Sequence, residues 1–361
     1  MTDRNVKINR YLMGLKPYRV SDSSRLTYRQ KLDYLKLDWN ESTIPPSPKV
    51  IQALMQVLQI GALNFYPDVT ASELRTKLSS YVGLDVSLIQ VFNGSDEALR
   101  MVCEVFLDAG DQVLFRDPTY AQIEPFIISR GARIVRFTGD SPITPNSEKY
   151  RDWLRQNSIA LVYIVNPNNP TGLLYEQDLI ESLCAEFPRT LFLVDEAYFE
   201  FAGYTVVSLV NKYPNLLIAR TFSKAFGLAG LRIGYLLAAP ALLASMDLIR
   251  NGKDVNLLGQ IAAAAALDDL PYMQAYVDEV IGTRNWLCQA LRGLGVEVFD
   301  SRANFLLVRV ADARRIEQSL KENKILVRDR SSMAQLENTF RVSIGTRTQM
   351  TRFFETFAAL L

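Results

Sequence analysis

Short apolar segments rich in Val, Ile, Leu and Phe recur along the middle of the chain and predict buried strands. These segments are Leu88–Phe92, Gln112–Phe115, Arg133–Phe137, Ile159–Val165, Leu191–Asp195, Leu216–Arg220 and Ile233–Ala238. Helical patterns such as Ser95–Leu107 and Tyr175–Glu186 lie between most of them. Because buried strands that alternate with helices are typical of a parallel sheet between helical layers, we expect a large α/β layer with a mostly parallel sheet.

The last third of the chain has a different pattern. A long helical stretch, Pro271–Leu294, is followed by short strand-like segments and by two further helical patterns, Ala313–Asn323 and Thr348–Leu361. The strand-like segments are Val296–Phe299, Asn304–Val310, Ile325–Arg328 and Phe340–Ile344. Strands and helices mixed in this way indicate a smaller α+β domain.

The amino-acid composition removes several kinds of catalytic site. The 361 residues include three Cys and no His, so Ser-His-Asp triads, His-based zinc sites and a His general base are excluded. Cys103, Cys184 and Cys288 lie in apolar segments without a CxxC pair, which predicts buried thiols in a reducing compartment. Catalysis therefore has to use Lys, Tyr, carboxylates, Arg or a cofactor.

Charge and hydropathy bear on partners. With 40 Lys+Arg against 39 Asp+Glu, the chain offers no broad basic surface, and we expect no nucleic-acid partner. The uncharged runs Ile233–Met246 and Val255–Leu267 fall short of the about 20 apolar residues that span a membrane, so we expect a cytoplasmic protein. Residues 1–31 carry eight Lys/Arg and two Asp, which suits a solvated arm or one that attracts anionic substrates.

A lysine follows the strand Leu216–Arg220 almost directly. Lys224 comes after Thr221-Phe222-Ser223, and Arg232 lies a short distance beyond. A lysine in such a place either reaches the surface or serves as an amine that condenses with an aldehyde cofactor. Ser223 and Arg232 would allow an anion to bind nearby.

A carboxylate stands at the end of another predicted strand. Four apolar residues lead into Asp195, and Tyr198 follows three residues later. A buried acid needs a cationic or hydrogen-bonding partner, and a protonated pyridine nitrogen is one such partner. Capping a helix or binding magnesium are the alternatives for this aspartate.

Two loops at strand ends complete the candidate site. Gly94, Ser95 and Asp96 join a predicted strand to a helix, where free backbone N–H groups would bind a phosphate. Asn169 lies in the rigid loop Asn-Pro-Asn-Asn-Pro-Thr-Gly after the strand Ile159–Val165. Because ligands bind at the carboxyl ends of parallel strands, an amine, an acid, an amide and an anion site are all expected at one edge. An aldehyde-bearing pyridine with a phosphate needs all four.

Five motifs make the resemblance to a known family specific. In chain order they are Asn-Gly-Ser-Asp-Glu, Asp-Pro-Thr-Tyr, Asn-Pro-Asn-Asn-Pro-Thr-Gly, Val-Asp-Glu-Ala-Tyr and Ser-Lys-Ala-Phe-Gly-Leu-Ala-Gly-Leu-Arg-Ile-Gly. This ordered set resembles the fold-type I pyridoxal-phosphate aminotransferases, and most closely their histidinol-phosphate aminotransferase branch. The resemblance implies an α/β fold with a mostly parallel seven-stranded sheet between helices. It implies three parts: residues 1–46 (N-terminal arm and part of the small domain), 47–279 (large cofactor-binding domain) and 280–361 (small α+β domain).

The resemblance also implies roles around the ring of the cofactor, pyridoxal 5'-phosphate. Lys224 would form the Schiff base and act as general acid and base, and Asp195 would pair with the pyridine nitrogen. Tyr198 and Asn169 would hold the 3-hydroxyl oxygen. Tyr120 would stack on the ring face.

A further set of roles concerns the phosphate end of the cofactor. The family likeness assigns the cofactor phosphate to Gly94, Ser95, Asp96, Ser223 and Arg232.

The remaining roles would shape the substrate side. Tyr66 resembles the tyrosine that reaches the phosphate from the neighbouring subunit, which implies a homodimer with shared active sites. Tyr18 resembles an N-terminal tyrosine that closes over the substrate. Arg341 matches the arginine that grips a substrate anion, and Arg328 precedes it by 13 residues, as in histidinol-phosphate enzymes.

The implied reaction moves an amino group from a small amino donor to a keto acceptor. Glutamate and 2-oxoglutarate are the usual pair, and histidinol phosphate is the best candidate for the other substrate, ahead of aromatic amino acids. The alternatives are an aminotransferase of a dedicated biosynthetic pathway, a decarboxylase of the threonine-phosphate type, and a non-catalytic sensor with the same fold. The segment between Tyr18 and Trp39 is longer and more charged than in histidine-pathway enzymes, so it could reshape the substrate entrance.

Overall fold

The computed structural model describes residues 8–15, 22–145 and 147–361, so Tyr18 lies outside the described residues. Within them the strands are β1 (Leu35–Lys36), β2 (Ile89–Phe92), β3 (Gln112–Asp117), β4 (Arg133–Thr138), β5 (Ile159–Val165), β6 (Leu191–Asp195), β7 (Leu216–Thr221), β8 (Gly234–Ala238), β9 (Glu297–Phe299), β10 (Phe305–Arg309), β11 (Ile325–Leu326), β12 (Arg328–Asp329) and β13 (Thr339–Ser343).

Helices surround these strands, and short 3₁₀ turns join several of the elements. The α-helices of the described residues are α1 (Tyr28–Lys31), α2 (Pro48–Ile60), α3 (Ser72–Val82), α4 (Ser95–Phe106), α5 (Glu124–Ser129), α6 (Ser147–Gln156), α7 (Gln177–Glu186), α8 (Phe199–Ala202), α9 (Pro240–Asp247), α10 (Leu257–Leu267), α11 (Leu270–Gly293), α12 (Ala313–Glu322) and α13 (Arg347–Ala358).

In the described part of the chain, seven strands form one large sheet in the order β2-β8-β7-β6-β5-β3-β4. The prediction of a mostly parallel seven-stranded sheet is therefore confirmed. Strand β8 runs antiparallel to both of its neighbours. Its direction follows from its connection, because residues 222–233 contain a 3₁₀ turn rather than a crossover helix and bring the chain back beside β7.

The large sheet is covered on both faces, as its strand sequences require. Every residue of β2, β7 and β8 is buried. Helix α4 buries a stripe of apolar residues against the sheet that includes Leu99 and Val102. Cys103, Cys184 and Cys288 are buried free thiols, as the sequence predicts.

A second, antiparallel sheet follows the order β12-β13-β10-β9, while β1 pairs in parallel with β11. The sequence predicts one strand over Ile325–Arg328, and the structure divides it into β11 and β12. The division follows the change of character along the segment, because Ile325, Leu326 and Val327 are buried whereas Arg328 and Asp329 are partly exposed. The expected domain boundary at 279/280 falls within the continuous helix α11. No helix in the described ranges is long and apolar enough to cross a membrane.

The structure predicts opposite effects for two glycines replaced by alanine. A Cβ at Gly234, the first residue of β8, would lie 2.8 Å from the backbone carbon of Gly94 and 2.9 Å from the backbone oxygen of Arg220. Backbone atoms cannot move aside cheaply, so Gly234→Ala should destabilise the fold by about 1–3 kcal/mol. At Gly282 in α11 a Cβ would meet nothing within 4 Å, so Gly282→Ala should stabilise it by about 0.5–1 kcal/mol. Denaturant unfolding of both variants measures the difference, and similar free energies of unfolding would contradict the packing described here.

Candidate active site

Loops at the carboxyl ends of β3, β5, β6 and β7 meet the start of α4 and residues of the smaller sheet around a cavity of about 540 Å³. Most of the residues singled out from the sequence line it. They are Ser95, Asp96, Tyr120, Asn169, Asp195, Tyr198, Ser223, Lys224, Arg232, Arg328 and Arg341. Parallel strands explain this convergence, since their carboxyl ends share one edge of the sheet.

Lys224 lies in this cavity, three residues after β7 ends. Its Nζ donates a hydrogen bond to the backbone oxygen of Trp39 at 3.0 Å and lies 5.9 Å from the centre of the Tyr198 ring. Removal from bulk water and, secondarily, the positive charge of Arg341 lower the pKa of this lysine to about 8. A lysine with such a pKa is partly neutral near physiological pH, which is the form that attacks a carbonyl carbon.

Asp195 is the last residue of β6, and its side chain is 3% exposed. One carboxylate oxygen accepts a hydrogen bond from the Tyr163 hydroxyl at 2.9 Å, and the other accepts one from the backbone N–H of Ala197 at 3.1 Å. Burial raises the pKa of Asp195 to about 6, and these two hydrogen bonds oppose that rise. The carboxylate is therefore held in a fixed orientation at the cavity wall.

The Tyr198 hydroxyl lies at the centre of a cluster of buried polar side chains. It accepts hydrogen bonds from Asn40 Nδ2 at 3.0 Å and from Asn169 Nδ2 at 3.1 Å. Asn169 Oδ1 in turn accepts one from Arg341 at 2.7 Å. This arrangement links the loop after β5 to the smaller sheet. It also presents amide and phenol groups to whatever oxygen a ligand places there.

The start of α4 forms a cradle of backbone N–H groups beside the guanidinium of Arg232. Gly94 precedes the helix with φ +95°, and Ser95 and Asp96, which carry the first N–H groups of α4, line the cavity. Arg232 lies beside them and forms an ion pair with Asp96 at 3.1 Å. Tyr120 donates a hydrogen bond to the same carboxylate at 3.2 Å. A Cβ at Gly94 would lie 2.8 Å from Arg232 Nη2, so only glycine leaves this cradle open.

Two predicted arginines are cross-strand neighbours in the smaller sheet. Arg328 of β12 is the register partner of Arg341 of β13, and both line the cavity. Arg341 is buried, and its guanidinium also donates to the backbone oxygen of Asp38 at 2.6 Å. Arg330 lines the cavity as well, and the sequence patterns did not single it out. The alternation of side chains along an extended segment could have indicated it, because residues 328 and 330 share one face.

The segment Asp38–Glu41 is the second part of the site that the motifs did not reveal. All four of its residues line the cavity. Asn40 has a left-handed backbone with φ 55°, and its N–H donates to Ser343 Oγ at 2.9 Å. These contacts join residues about 300 positions apart, so no local pattern could have shown them. Tyr163, the hydrogen-bond partner of Asp195, was missed because this contact depends on the pairing of β5 with β6.

Tyr66 is placed differently from the other predicted residues. It is not among the described residues that line the cavity, and its side chain is 76% exposed. Lys253 lies against its ring, with Nζ 4.7 Å from the ring centre. Within one chain, therefore, Tyr66 does not join the rest of the site.

Comparison with known proteins identifies the family. Residues 33–357 match the family described as aminotransferase class I and II. The chain belongs to this family. It is 38% identical over 350 residues to a dihydroxyacetone phosphate transaminase of Campylobacter jejuni, covering 96% of this chain and 95% of the relative. It is 36% identical over 319 residues to a histidinol-phosphate aminotransferase of Geotalea daltonii, covering 88% and 90%.

A solved structure supports the same conclusion. The histidinol-phosphate aminotransferase of Sinorhizobium meliloti in complex with pyridoxal-5'-phosphate has a TM-score of 0.89 and 26% identity, covering 100% of both chains. The expected fold-type I architecture and aminotransferase class are confirmed, and the enzyme depends on pyridoxal phosphate. A threonine-phosphate decarboxylase of Porphyromonas gingivalis, with a TM-score of 0.78 at 23% identity, shares the fold.

The residues present fit this cofactor. Lys224 offers an amine for its aldehyde, Asp195 a buried carboxylate for its pyridine nitrogen, and the α4 cradle with Arg232 a positive site for its phosphate. When bound, pyridoxal phosphate supplies an aldehyde that captures amines and a ring that draws electrons from the reacting carbon. The described residues contain no cluster of Cys, Asp or Glu placed to hold a metal ion.

The pKa of Lys224 gives a testable pH dependence. In the cofactor-free protein, covalent capture of pyridoxal phosphate should increase as the pH rises through about 8 and level off above it, because only the neutral amine attacks. Borohydride trapping followed by mass spectrometry measures the captured fraction. Lys224→Met serves as control and should trap no cofactor at this position. A midpoint near the ordinary lysine value of 10.5 would contradict the environment described here.

Proposed function

We propose that the enzyme transfers an amino group between glutamate and a small phosphate ester whose reacting carbon lies next to a CH₂–O–phosphate group. The observation that carries this proposal is the cross-strand pair Arg328 and Arg341 in the wall of the cavity that holds Lys224. Planar guanidinium groups suit a phosphate or carboxylate because each can bind two oxygens at once. Arg341 also supports this proposal, because its positive charge lowers the pKa of Lys224 in the same cavity.

The chemistry of the relatives' substrates narrows the class. Histidinol phosphate and dihydroxyacetone phosphate, named for two relatives, both carry a three-carbon unit with a phosphate at one end and a nitrogen or oxygen at the middle carbon. They differ at the other end, where one has an imidazole and the other a hydroxyl group. We therefore propose this shared three-carbon phosphate as the recognised unit. Histidinol phosphate, the candidate expected from the sequence, and dihydroxyacetone phosphate are the two compounds with this unit that the kinetic comparison below includes.

Each residue of the site has a proposed task. Lys224 Nζ would take the proton from the α-carbon of the amino donor and deliver it to the C4′ carbon of the cofactor. Asp195 holds the proton of the pyridine nitrogen in place through its negative charge. Asn169 and Tyr198 bind the 3-hydroxyl oxygen, and Tyr120 packs on the ring face.

The charged groups bind the anionic ends. Ser223, Arg232 and the first N–H groups of α4 bind the cofactor phosphate. Arg341 holds the carboxylate of glutamate. Arg328 holds the substrate phosphate. We place the reaction in the cytoplasm, where the reducing conditions suit three buried free thiols.

We also propose that two copies of the chain form the working enzyme. Large apolar side chains around Tyr66 are exposed, including Ile60 at 79%, Leu63 at 56% and Phe65 at 70%. Contiguous exposed apolar surface of this kind is typical of a protein–protein interface. A second copy packed there would bury these side chains. It would also bring Tyr66 to the site of the partner, as the family resemblance implies.

The arginine pair predicts how the enzyme discriminates substrates. Arg328→Gln should lower kcat/KM for histidinol phosphate or dihydroxyacetone phosphate by about 10- to 100-fold, since a hydrogen bond to a charged group contributes about 1.5–3 kcal/mol. The same variant should change kcat/KM little for histidinol or dihydroxyacetone. Arg309→Gln is the matched control, because Arg309 lies on β10 of the same sheet and donates to the backbone oxygen of Gln335 instead.

The same panel decides between the candidate substrates. Higher kcat/KM for one of the two phosphates assigns the group at the far end of the molecule. An equal loss with phosphorylated and unphosphorylated compounds in Arg328→Gln would contradict phosphate recognition by this residue. Release of CO₂ from threonine phosphate without any keto acid would instead establish a decarboxylase.

Subunit mixing tests whether Tyr66 acts in the partner's site. Lys224→Ala and Tyr66→Ala chains should each have little activity, and their hybrid dimer should regain one complete site. A hybrid of Lys224→Ala and Asp195→Asn chains is the control, because both residues belong to one chain's cavity and no complete site can form. Activity measured after verified subunit exchange reports the outcome. No recovery in the first hybrid would show that Tyr66 serves its own chain.

A further inference from the structure

Tyr163 is a buried residue that touches the centre of the site without facing any expected ligand. It lies in β5, two residues before Val165, which is the register partner of Asp195 in β6. Side chains two residues apart point to the same face of a strand, so the Tyr163 ring projects toward the Asp195 carboxylate. Its hydroxyl donates to Asp195 Oδ2 at 2.9 Å, and the side chain is only 1% exposed.

Together with a second hydrogen bond, this contact holds the Asp195 carboxylate in one orientation. Tyr163 binds one carboxylate oxygen, and the N–H of Ala197 binds the other. One donor is a side chain of β5 and the other is a backbone N–H in the turn that follows β6, so two parts of the chain hold the plane of the carboxylate. We propose that Tyr163 is a positioning residue that keeps the negative charge on Asp195 and thereby keeps the cofactor's pyridine nitrogen protonated. This inference rests on the role proposed above for Asp195.

The direction of the effect follows from hydrogen bonding. A phenol that donates to a carboxylate stabilises its charged form and makes it a weaker base. The pyridine proton then stays on nitrogen instead of moving to Asp195. Burial works in the opposite direction by raising the pKa of Asp195, so the hydrogen bond from Tyr163 opposes the largest influence on this group.

Other charged and titratable groups also face this carboxylate. Asp96 at the start of α4 raises the pKa of Asp195, whereas Lys224 beyond β7 lowers it. The phenol of Tyr198 lies in the same cavity. The Tyr163 phenol keeps its own proton, because burial and the neighbouring Asp195 raise its pKa well above the ordinary value. Tyr163 therefore remains a donor throughout the working pH range.

The test observes the ring nitrogen directly. Holoenzyme prepared with nitrogen-15-labelled pyridoxal phosphate is examined by NMR near neutral pH, as wild type and as Tyr163→Phe, Asp195→Asn and Tyr150→Phe. Phe at 163 keeps the ring that packs on Phe115, with ring centres 5.2 Å apart in the wild type. Tyr150→Phe controls for the loss of another buried phenol, since Tyr150 is 1% exposed and packs against Phe137.

The expected result is a shift of the nitrogen signal in Tyr163→Phe toward the unprotonated pyridine, in the same direction as the larger shift in Asp195→Asn. Tyr150→Phe should leave the signal unchanged. The dissociation constant of the cofactor, measured separately, should rise about tenfold in Tyr163→Phe. These readouts require no amino substrate, so they are independent of which phosphate ester the enzyme uses.

Two outcomes overturn the inference. A shift in Asp195→Asn without one in Tyr163→Phe would refute the role of Tyr163 alone and leave that of Asp195 intact. No shift in either variant would refute both. Should Tyr163→Phe fail to fold, fluorotyrosine at this position replaces it. Its more acidic phenol is a stronger donor, so the pH at which the nitrogen signal changes to the unprotonated form should rise, and an unchanged midpoint would again refute the proposal.

Discussion

A carboxylate buried at the end of the central strand β6 loses its hydration, and the structure around it compensates for that loss. Asp195 is 3% exposed, and a charge in such a place needs hydrogen bonds or an opposite charge. Two donors come from the protein, the Tyr163 hydroxyl and the Ala197 N–H. Even with these two hydrogen bonds, the pKa of Asp195 stays above the ordinary value, so the protein alone does not fully stabilise the charge. In the proposed complex a cationic ring nitrogen would complete the compensation, and cofactor binding and the ionisation of Asp195 would then be parts of one equilibrium.

The segment around residues 35–41 holds the other side of the cavity in place. It pairs with β11 through β1, and the Leu37 oxygen accepts a hydrogen bond from the Ser343 N–H at 2.9 Å. Further along, Trp39 accepts from Lys224, and the Asn40 oxygen accepts from Asn304 Nδ2 at 3.1 Å. One short stretch of chain thus contacts the four-stranded sheet and the loop that follows β7 of the large sheet. Its backbone couples the position of the reactive amine to the position of the arginine-bearing strands.

Local patterns predicted the parts of the molecule that local physics determines. The strands of the large sheet are continuous apolar runs, and the loops after them carry chemical groups that are costly to bury without a function. Tyr163 and the Asp38–Glu41 segment were missed because each enters the site through contacts between distant parts of the chain, whereas the local alternation after Arg328 could have indicated Arg330. The change from buried to partly exposed residues along Ile325–Asp329 was visible in the sequence, but its two partner strands were not, since β1 pairs with the first half and β13 with the second. Tyr66 was named from resemblance alone, and the structure of one chain places it at the surface.

The absence of histidine shapes how this site responds to pH. In the proposed function the anionic ends of the substrates are bound by two guanidinium groups, Arg328 and Arg341, and not by imidazoles. Within the cavity, the groups whose pKa shifts bring them near neutrality are Asp195, raised to about 6, and Lys224, lowered to about 8. Above about pH 6 the carboxylate is charged and ready for a pyridinium ion, and above about pH 8 the amine is largely neutral and ready for an aldehyde. Uptake of the cofactor by the cofactor-free protein should therefore increase in two steps across the neutral range. A carboxylate and an amine cause these steps, not an imidazole.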